Sequence, residues 1–149
     1  MILIAHRGNY QGRNQERENT PLYIEEAIEA GFDVEVDVWL IDKQLYLGHD
    51  FPRDKIEVSF LERPQIWTHA KNLVCYVSLY NNSKVHVFWH NKDDFAITSK
   101  GLKWALTGVV THDGVVVMPE NSTGITTMLR NGSLSPLGVC SDDFSLLIS

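Results

Sequence analysis

The amino-acid sequence predicts an α/β fold, because strand-like and helix-like segments alternate at its start and short apolar runs continue towards its end. Residues 2–5 form a β-branched apolar run that is typical of a buried strand. A helix is expected after Thr20, and a second strand over residues 33–41, where apolar and polar residues alternate. One further helix is predicted at about residues 122–131. This pattern favours a sheet with few helices over an all-β sandwich.

The helix that follows the first strand carries start and stop signals. Thr20 is a suitable N-cap, and Pro21 takes the first helical position, where the missing N–H costs nothing. Ile24 and Ile28 belong to an apolar stripe, and Gly31 supplies the stop. We therefore expect a helix that packs one face on the sheet.

Length and charge exclude several classes of protein. The chain has 149 residues, which fits a single domain over residues 1–149 with its own hydrophobic core. The formal net charge of −6 argues against a nucleic-acid-binding protein and against a polybasic membrane-surface module. No apolar run reaches the roughly 20 residues that span a bilayer, and residues 2–5 are too short for a signal peptide. Cys75 and Cys140 are far apart in the chain, so two reduced thiols in a cytoplasmic protein are expected.

Two carboxylates share one face of the second predicted strand. Side chains alternate along a strand, so Glu35 and Asp37 project in the same direction. If that face is buried, the two charges repel unless a divalent cation neutralises them, and carboxylate oxygens suit Mg²⁺ or Ca²⁺. Alternatively, both carboxylates face solvent while Val34, Val36 and Val38 fill the core. Periodicity alone leaves both readings open.

Two histidines end apolar segments on either side of this acidic strand. A single histidine in such a place is more often structural, but His6 and His49 together favour chemistry. Imidazole titrates near neutral pH and can take or give the protons that move when a phosphodiester is cleaved. Arg7 offers a planar fork for phosphate oxygens, and Gly8 permits close approach of the backbone to a ligand.

The order of these residues resembles the glycerophosphodiester phosphodiesterases, a family of the phospholipase C-like phosphodiesterase superfamily. Four elements within residues 2–52 carry the resemblance: His6-Arg7-Gly8, Glu18-Asn19-Thr20, Glu35-x-Asp37 and His49-Asp50. The resemblance implies a compact (β/α)8 TIM-like barrel. A full barrel takes about 250 residues, so this one would have a much reduced outer helical layer. Residues 138–142 resemble the last barrel strand of the family.

The resemblance also implies a role for each matching residue. His6 and His49 would be the catalytic acid–base pair. Glu35 and Asp37 would be metal ligands, with Mg²⁺ or Ca²⁺ as the cofactor. Arg7 would bind the phosphate.

Five further residues complete the implied site. Glu18 and Asn19 would shape it, and Asp50 would orient His49 or its loop. The sequence departs from the family where a third acidic ligand is usual, because His69 stands there, with Lys71 in the place of the family's phosphate-binding lysine. His69 as a ligand would shift the preference towards transition metals, whereas otherwise it would only line the pocket while water completes the metal's coordination.

The expected reaction is metal-dependent cleavage of a small-molecule, glycerophosphodiester-like substrate to a phosphomonoester and an alcohol. One alternative is a sphingomyelinase D-like or phospholipase C-like lyase that forms a cyclic phosphate. Another is a non-catalytic relative that binds a phosphate-bearing ligand, an interpretation favoured by the missing third acidic ligand. The lost helices would expose apolar strand faces, which would allow a homo-oligomer.

Overall fold

The structure of the protein is a computed structural model that describes residues 1–148. Ten strands form one curled sheet with the shape of a half-barrel: β1 Ile2–His6, β2 Asp33–Ile41, β3 Gln44–Leu47, β4 Asp54–Ile56, β5 Ile66–Ala70, β6 Val87–Phe88, β7 Phe95–Ile97, β8 Lys103–Ala105, β9 Gly114–Val117 and β10 Gly138–Ser141. The helices are short: α1 Pro21–Glu29, α2 Val58–Leu61, α3 Leu73–Tyr80, α4 Thr123–Arg130 and α5 Ser145–Ile148. A 3₁₀ turn at Pro119–Asn121 precedes α4.

Most of the sheet is parallel. Seven strands run in one direction, in the order β6, β5, β2, β1, β10, β9 and β8. Strands β3 and β4 continue from the second half of β2 as antiparallel neighbours, and β7 is antiparallel to β8. The carboxyl ends of the seven parallel strands therefore lie at one edge of the sheet, where α/β proteins place their ligands.

The predicted (β/α)8 TIM-like barrel is wrong. Among residues 1–148 no backbone ladder joins β6 to β8, so the sheet curls without closing. The connection from β6 to β8 contains only β7, and the connection from β8 to β9 contains no helix. The physical reason is length, because eight strand–helix units take about 250 residues. The fold is instead a mixed α/β structure dominated by its sheet.

The local signals in the sequence are confirmed. Thr20 caps α1 and accepts a hydrogen bond from the backbone of Tyr23 at 3.4 Å. Gly31 ends this segment with a φ of +95°, a conformation that glycine adopts without strain. The second predicted helix forms as α4. Cys75 and Cys140 are both buried and unbridged.

The sheet buries apolar side chains on both faces. Its outer face packs against α1, α2 and α3, with the valines of β2 at the centre of that core. Its concave face is filled by a second cluster that includes Ile4, Trp67 and Phe88. Phe88 on β6 stacks on Trp104 on β8 with ring centroids 4.4 Å apart. Aromatic packing thus helps to hold the two sides of the curl together, along with the backbone hydrogen bond from the N–H of Ser99 to the carbonyl oxygen of Val87 at 2.8 Å. In the described part of the chain, no helix has the length and apolar character required to cross a membrane.

One buried histidine of this core gives a testable pH dependence. His86 is 4% exposed, and its Nε2 lies 2.7 Å from Thr98 Oγ1. Burial, helped by the charge of Lys100, lowers the pKa of His86 from 6.5 to about 4. Between these two values the unfolded chain binds more protons than the folded chain. The free energy of unfolding therefore falls as the pH drops through this window.

The free energy of unfolding of the wild type should fall between about pH 7 and pH 4.5. We expect this fall to be about 2–3 kcal/mol smaller in His86→Gln. Urea unfolding of both proteins at the two pH values measures this difference. His112→Gln is the matched control, because His112 is exposed. Equal losses in the wild type and in His86→Gln would show that His86 does not control this pH dependence.

Candidate active site

Site residues predicted from distant parts of the chain gather at the carboxyl edge of the parallel strands. His6 ends β1, and Glu35 and Asp37 lie on β2 beside it. In the ladders His6 is opposite Glu35, and Asp37 is opposite His69 on β5. Asp142 directly follows β10, the other neighbour of β1. Parallel pairing thus brings four segments of the chain to one place.

The acidic pair points into the protein. Glu35 is 2% exposed and Asp37 is 1% exposed, so the reading in which both face solvent is wrong. Val34, Val36 and Val38 are also fully buried. Both faces of β2 are therefore covered. Helices pack over the valines, and the two carboxylates are buried on the concave side of the sheet. The electrostatic conflict expected of two buried carboxylates is present and must be balanced locally.

A group of three side chains at this place could hold a metal ion. One ligand atom from each of Glu35, Asp37 and His69 lies within 4.8 Å of the others. His69 Nδ1 is 3.3 Å from Asp37 Oδ1 and 3.6 Å from Glu35 Oε1. Glu35 Oε2 is buried and has no hydrogen-bond partner among the described residues, as expected of an oxygen that serves a cation. The donor set of carboxylates and one imidazole fits a divalent ion.

The ring of His69 is held in a definite orientation. It stacks on Phe88 with centroids 4.9 Å apart, and its Nε2 lies 3.4 Å from the carbonyl oxygen of His90. A proton on Nε2 leaves the lone pair of Nδ1 on the side of the carboxylates. Burial opposes a positive charge on this ring, but the hydrogen bonds that the ring donates to Asp37 and Glu35 and the negative charges of these carboxylates together outweigh burial and raise the pKa of His69 to about 9. A cation at Nδ1 would compete with the second proton of the charged ring, which sits on that nitrogen.

Asp37 is the most heavily contacted member of the group. Asn19 Nδ2 donates to Asp37 Oδ2 at 2.9 Å, and Asn19 Oδ1 accepts from the backbone N–H of Asp37 at 2.9 Å. Arg7 Nε lies 3.0 Å from Oδ2, although not aligned for a hydrogen bond, and Lys71 Nζ lies 3.6 Å from Oδ1. Burial disfavours the carboxylate, yet the hydrogen bond to His69 and the nearby cations hold the pKa of Asp37 well below its usual range.

Asn19 gives a prediction about how this carboxylate is positioned. Its backbone has a φ of +56°, and its side chain is buried against Asp37. We expect Asn19→Ala to lower the free energy of unfolding by about 3 kcal/mol, because two buried hydrogen bonds are lost and alanine is strained at this φ. Urea denaturation measures the change. Asn81→Ala, at an exposed helix end, is the control and should stay within about 0.5 kcal/mol of the wild type. A loss no larger than that of the control would contradict the positioning role.

Arg7 is locked by its backbone and by Glu18. Its φ is +56°, and its N–H donates to the carbonyl oxygen of Glu35 at 2.9 Å. Its Nη1 donates to Glu18 Oε2 at 3.2 Å. Glu18 is buried, and its other oxygen accepts from Asn9 and Arg13. Glu18 therefore shapes the site by holding the guanidinium of Arg7.

Asp142 is a site residue that the sequence analysis did not identify. Its Oδ1 lies 2.8 Å from His6 Nδ1 and accepts from Asn9 Nδ2 at 2.9 Å. Burial disfavours a charge on His6, but the hydrogen bond with Asp142 and the negative charges of Glu35 and Asp142 together outweigh burial and raise the pKa of His6. His6 Nε2 is turned towards Glu35 Oε2, at 3.9 Å. The available signal was the place of Asp142 directly after a buried strand, the same position that drew attention to His49.

His49 lies on a short loop after β3. The loop begins at Gly48, a position that only glycine can occupy. Gly48 has a φ of +148°, and a Cβ there would overlap the carbonyl oxygen of Phe51. The N–H of Gly48 donates to the carbonyl oxygen of Asp37 at 3.1 Å, which ties the loop to β2. His49 Nδ1 lies 2.7 Å from Asp50 Oδ1, and both side chains are accessible to solvent. Each of the two proposed catalytic histidines thus has a carboxylate beside its Nδ1.

Two cavities meet at these residues. The smaller, of about 190 Å³, is lined by the three members of the metal-binding group. The larger, of about 590 Å³, opens beside Glu18, Asn19 and Asp50. His6, Arg7 and His49 line both. Among the described residues, Lys71 lines neither cavity, and its observed contact is with Asp37.

Fold and site together define a mixed α/β protein with a buried acidic and histidine group at the carboxyl edge of its sheet. The chain matches no protein-family model, and no curated protein or solved structure is significantly similar to it. The geometry of the site is therefore the basis for a functional proposal.

Proposed function

We propose that the protein is a metal-dependent phosphodiesterase that cleaves a glycerophosphodiester-like substrate to a phosphomonoester and an alcohol. The observation that carries the proposal is the set of side chains that line the smaller cavity together. His6, His49 and Arg7 line this cavity together with a buried group that could hold a metal. A phosphodiesterase needs these parts at one place: a cation, a phosphate-binding group and two proton carriers.

Glu35, Asp37 and His69 would hold the divalent ion, and the oxygen-rich donor set favours Mg²⁺ or Ca²⁺, with the imidazole extending the range to transition metals. When bound, such a cation polarises a phosphate oxygen and stabilises the negative charge of the transition state. Asn19 orients Asp37 for this task through its two hydrogen bonds. Arg7, held by Glu18, binds the phosphate beside the cation.

His6 and His49 would carry the protons. Asp142 and Asp50 occupy the Nδ1 side of each ring, which leaves the Nε2 atoms for the substrate. His6 is the deeper of the two, with 16% of its side chain exposed, whereas 41% of the His49 side chain is exposed at the mouth. This difference in depth supports proton transfer at two sides of one phosphate: removal from the attacking water and donation to the leaving alcohol oxygen.

Turnover of bis(p-nitrophenyl) phosphate tests the proposal. We expect release of nitrophenolate with added Mg²⁺, Ca²⁺ or Mn²⁺, its loss in EDTA, and its return when metal is restored, because the proposed chemistry needs a cation. Protein that is saturated with metal by calorimetry, yet cleaves neither this diester nor glycerophosphocholine, would contradict the enzyme and support a non-catalytic phosphate-binding protein.

The products separate hydrolysis from the lyase reaction. Phosphorus NMR of reactions with glycerophosphocholine should show a phosphomonoester from the first turnover. A cyclic phosphate that appears before any monoester would show instead that a substrate hydroxyl attacks phosphorus.

A further inference from the structure

We propose that the substrate carries a second anionic group, a carboxylate or a phosphate monoester, on the ester arm that occupies the larger cavity, and that Arg13 and Arg53 bind this group. The proposal deepens the proposed function and rests on it. It names a class of substrate, namely phosphodiesters with an acidic arm.

The two arginines lie on one side of the site. Both line the larger cavity and neither lines the smaller one, whereas Arg7 lines both. Arg7 therefore stands beside the metal-binding group, and the other two stand farther along the same space. Three of the six arginines of a chain with a net charge of −6 thus line one cavity. Glu18, Asp50 and Asp142 also line this cavity and balance the formal charge, so an anionic occupant is favoured by the unused donors of the arginines and not by a net positive charge.

Both arginines are anchored at Glu18. Arg13 Nε donates to Glu18 Oε1 at 2.9 Å, and Arg53 Nη2 donates to the carbonyl oxygen of Glu18 at 2.7 Å. Arg53 Nε also donates to Asp54 at 2.9 Å. In the described part of the chain, both Nη atoms of Arg13 and the Nη1 atom of Arg53 have no protein acceptor. Anchored guanidinium groups with unused donors suit a carboxylate or phosphate.

The acidic residues of the cavity are already paired and do not occupy the unused donors of Arg13 and Arg53. Glu18 is buried, and its two oxygens already accept hydrogen bonds from Arg7, Asn9 and Arg13. Asp142 is engaged by His6 and Asn9. Asp50, the third acid of the lining, is largely exposed to solvent and pairs with the ring of His49.

The rest of the lining supports a small polar arm. Gln15 and Asn121 add uncharged hydrogen-bonding groups, and the apolar contribution is limited to Phe51, Val117 and Met118. A long acyl chain would leave most of these polar groups without partners, which is costly. An arm that ends in a carboxylate or phosphate would instead meet donors.

A pair of nearly isosteric product-like ligands tests the inference without turnover. 3-Phosphoglycerate and glycerol 3-phosphate differ by a carboxylate in place of a hydroxymethyl group. We expect calorimetry on the metal-loaded protein to show at least about tenfold tighter binding of 3-phosphoglycerate. A charge-assisted hydrogen bond to an arginine typically increases affinity by about this factor. Arg13→Gln and Arg53→Gln should each reduce this preference with little change in the affinity for glycerol 3-phosphate.

Arg130→Gln, an exposed arginine at the end of α4, is the matched control and should keep the preference. Equal affinities of the wild type for both ligands would overturn this inference and leave the proposed function standing. A preference that persists in both Arg13→Gln and Arg53→Gln would likewise overturn it. Binding of neither ligand by the metal-loaded protein would count against the proposed function itself.

Discussion

We expect His6→Ala to lower the metal-dependent turnover of bis(p-nitrophenyl) phosphate by about 10²–10⁴-fold, the usual contribution of a general acid or base. His6 has both features that the role requires. Its Nδ1 is held by Asp142 at 2.8 Å, and its ring lines both cavities. His49→Ala should have an effect of similar size, because the proposed reaction moves one proton on each side of phosphorus.

A histidine outside the site supplies the control. His112 is exposed and lines neither cavity, so His112→Ala should leave kcat unchanged. Urea unfolding of each variant shows whether a loss of turnover reflects chemistry or folding. Retention of wild-type kcat by a folded His6→Ala variant would remove the proposed acid–base pair.

Asp142→Asn separates orientation from proton transfer. We expect a smaller loss of kcat than in His6→Ala, with KM little changed, because the imidazole remains while its carboxylate partner becomes a neutral amide. A loss as large as that of His6→Ala would mean that the two residues act as one unit.

The second large effect concerns metal binding. We expect Asp37→Asn to abolish the stabilisation that a divalent cation gives to the wild type. A ligand at 100 times its Kd adds about 2.7 kcal/mol to the free energy of unfolding, provided that it binds only the folded chain. Asp37 is 1% exposed and lies 3.3 Å from His69 Nδ1, so its carboxylate cannot be replaced by a neighbouring surface acid.

Urea unfolding with and without Mg²⁺, Ca²⁺ or Mn²⁺ measures this effect, and calorimetry gives the affinities. Glu35→Gln should behave like Asp37→Asn. Glu29→Gln, at the exposed end of α1, is the control and should retain the full metal response. An unchanged metal response in both site variants would place the cation elsewhere and would remove the proposed centre.

The prediction of the fold succeeded where local signals were strong and failed where they were weak. Helix α1 and strand β2 follow directly from a capping threonine, a stop glycine and regular alternation. Helix α3 is not predicted by its sequence, because Leu73–Tyr80 contains no charged residue and so shows no polar face. Its start is marked by Asn72, whose side chain accepts from the backbone N–H of Cys75. The closed barrel was an inference from resemblance and was wrong.

The site shows the same division. The spacing of Glu35 and Asp37 determines that they share a face of β2, since side chains alternate along any strand. Whether that face is buried depends on the curl of the sheet, which is stabilised by the stacking of Phe88 on Trp104 and by the backbone hydrogen bond between Ser99 and Val87. The contact of His6 with Asp142 joins residues 136 positions apart and arises only because β1 pairs with β10.

Local chemistry alone was enough to place the helix caps, the strand alternation and the polar residues at strand ends, because these depend on neighbours a few positions away. The open sheet, the depth of the two carboxylates and the three arginines gathered on Glu18 required the folded chain. Such contacts depend on which strands become neighbours, and that choice is made by the packing of the whole core, which no short stretch of sequence contains.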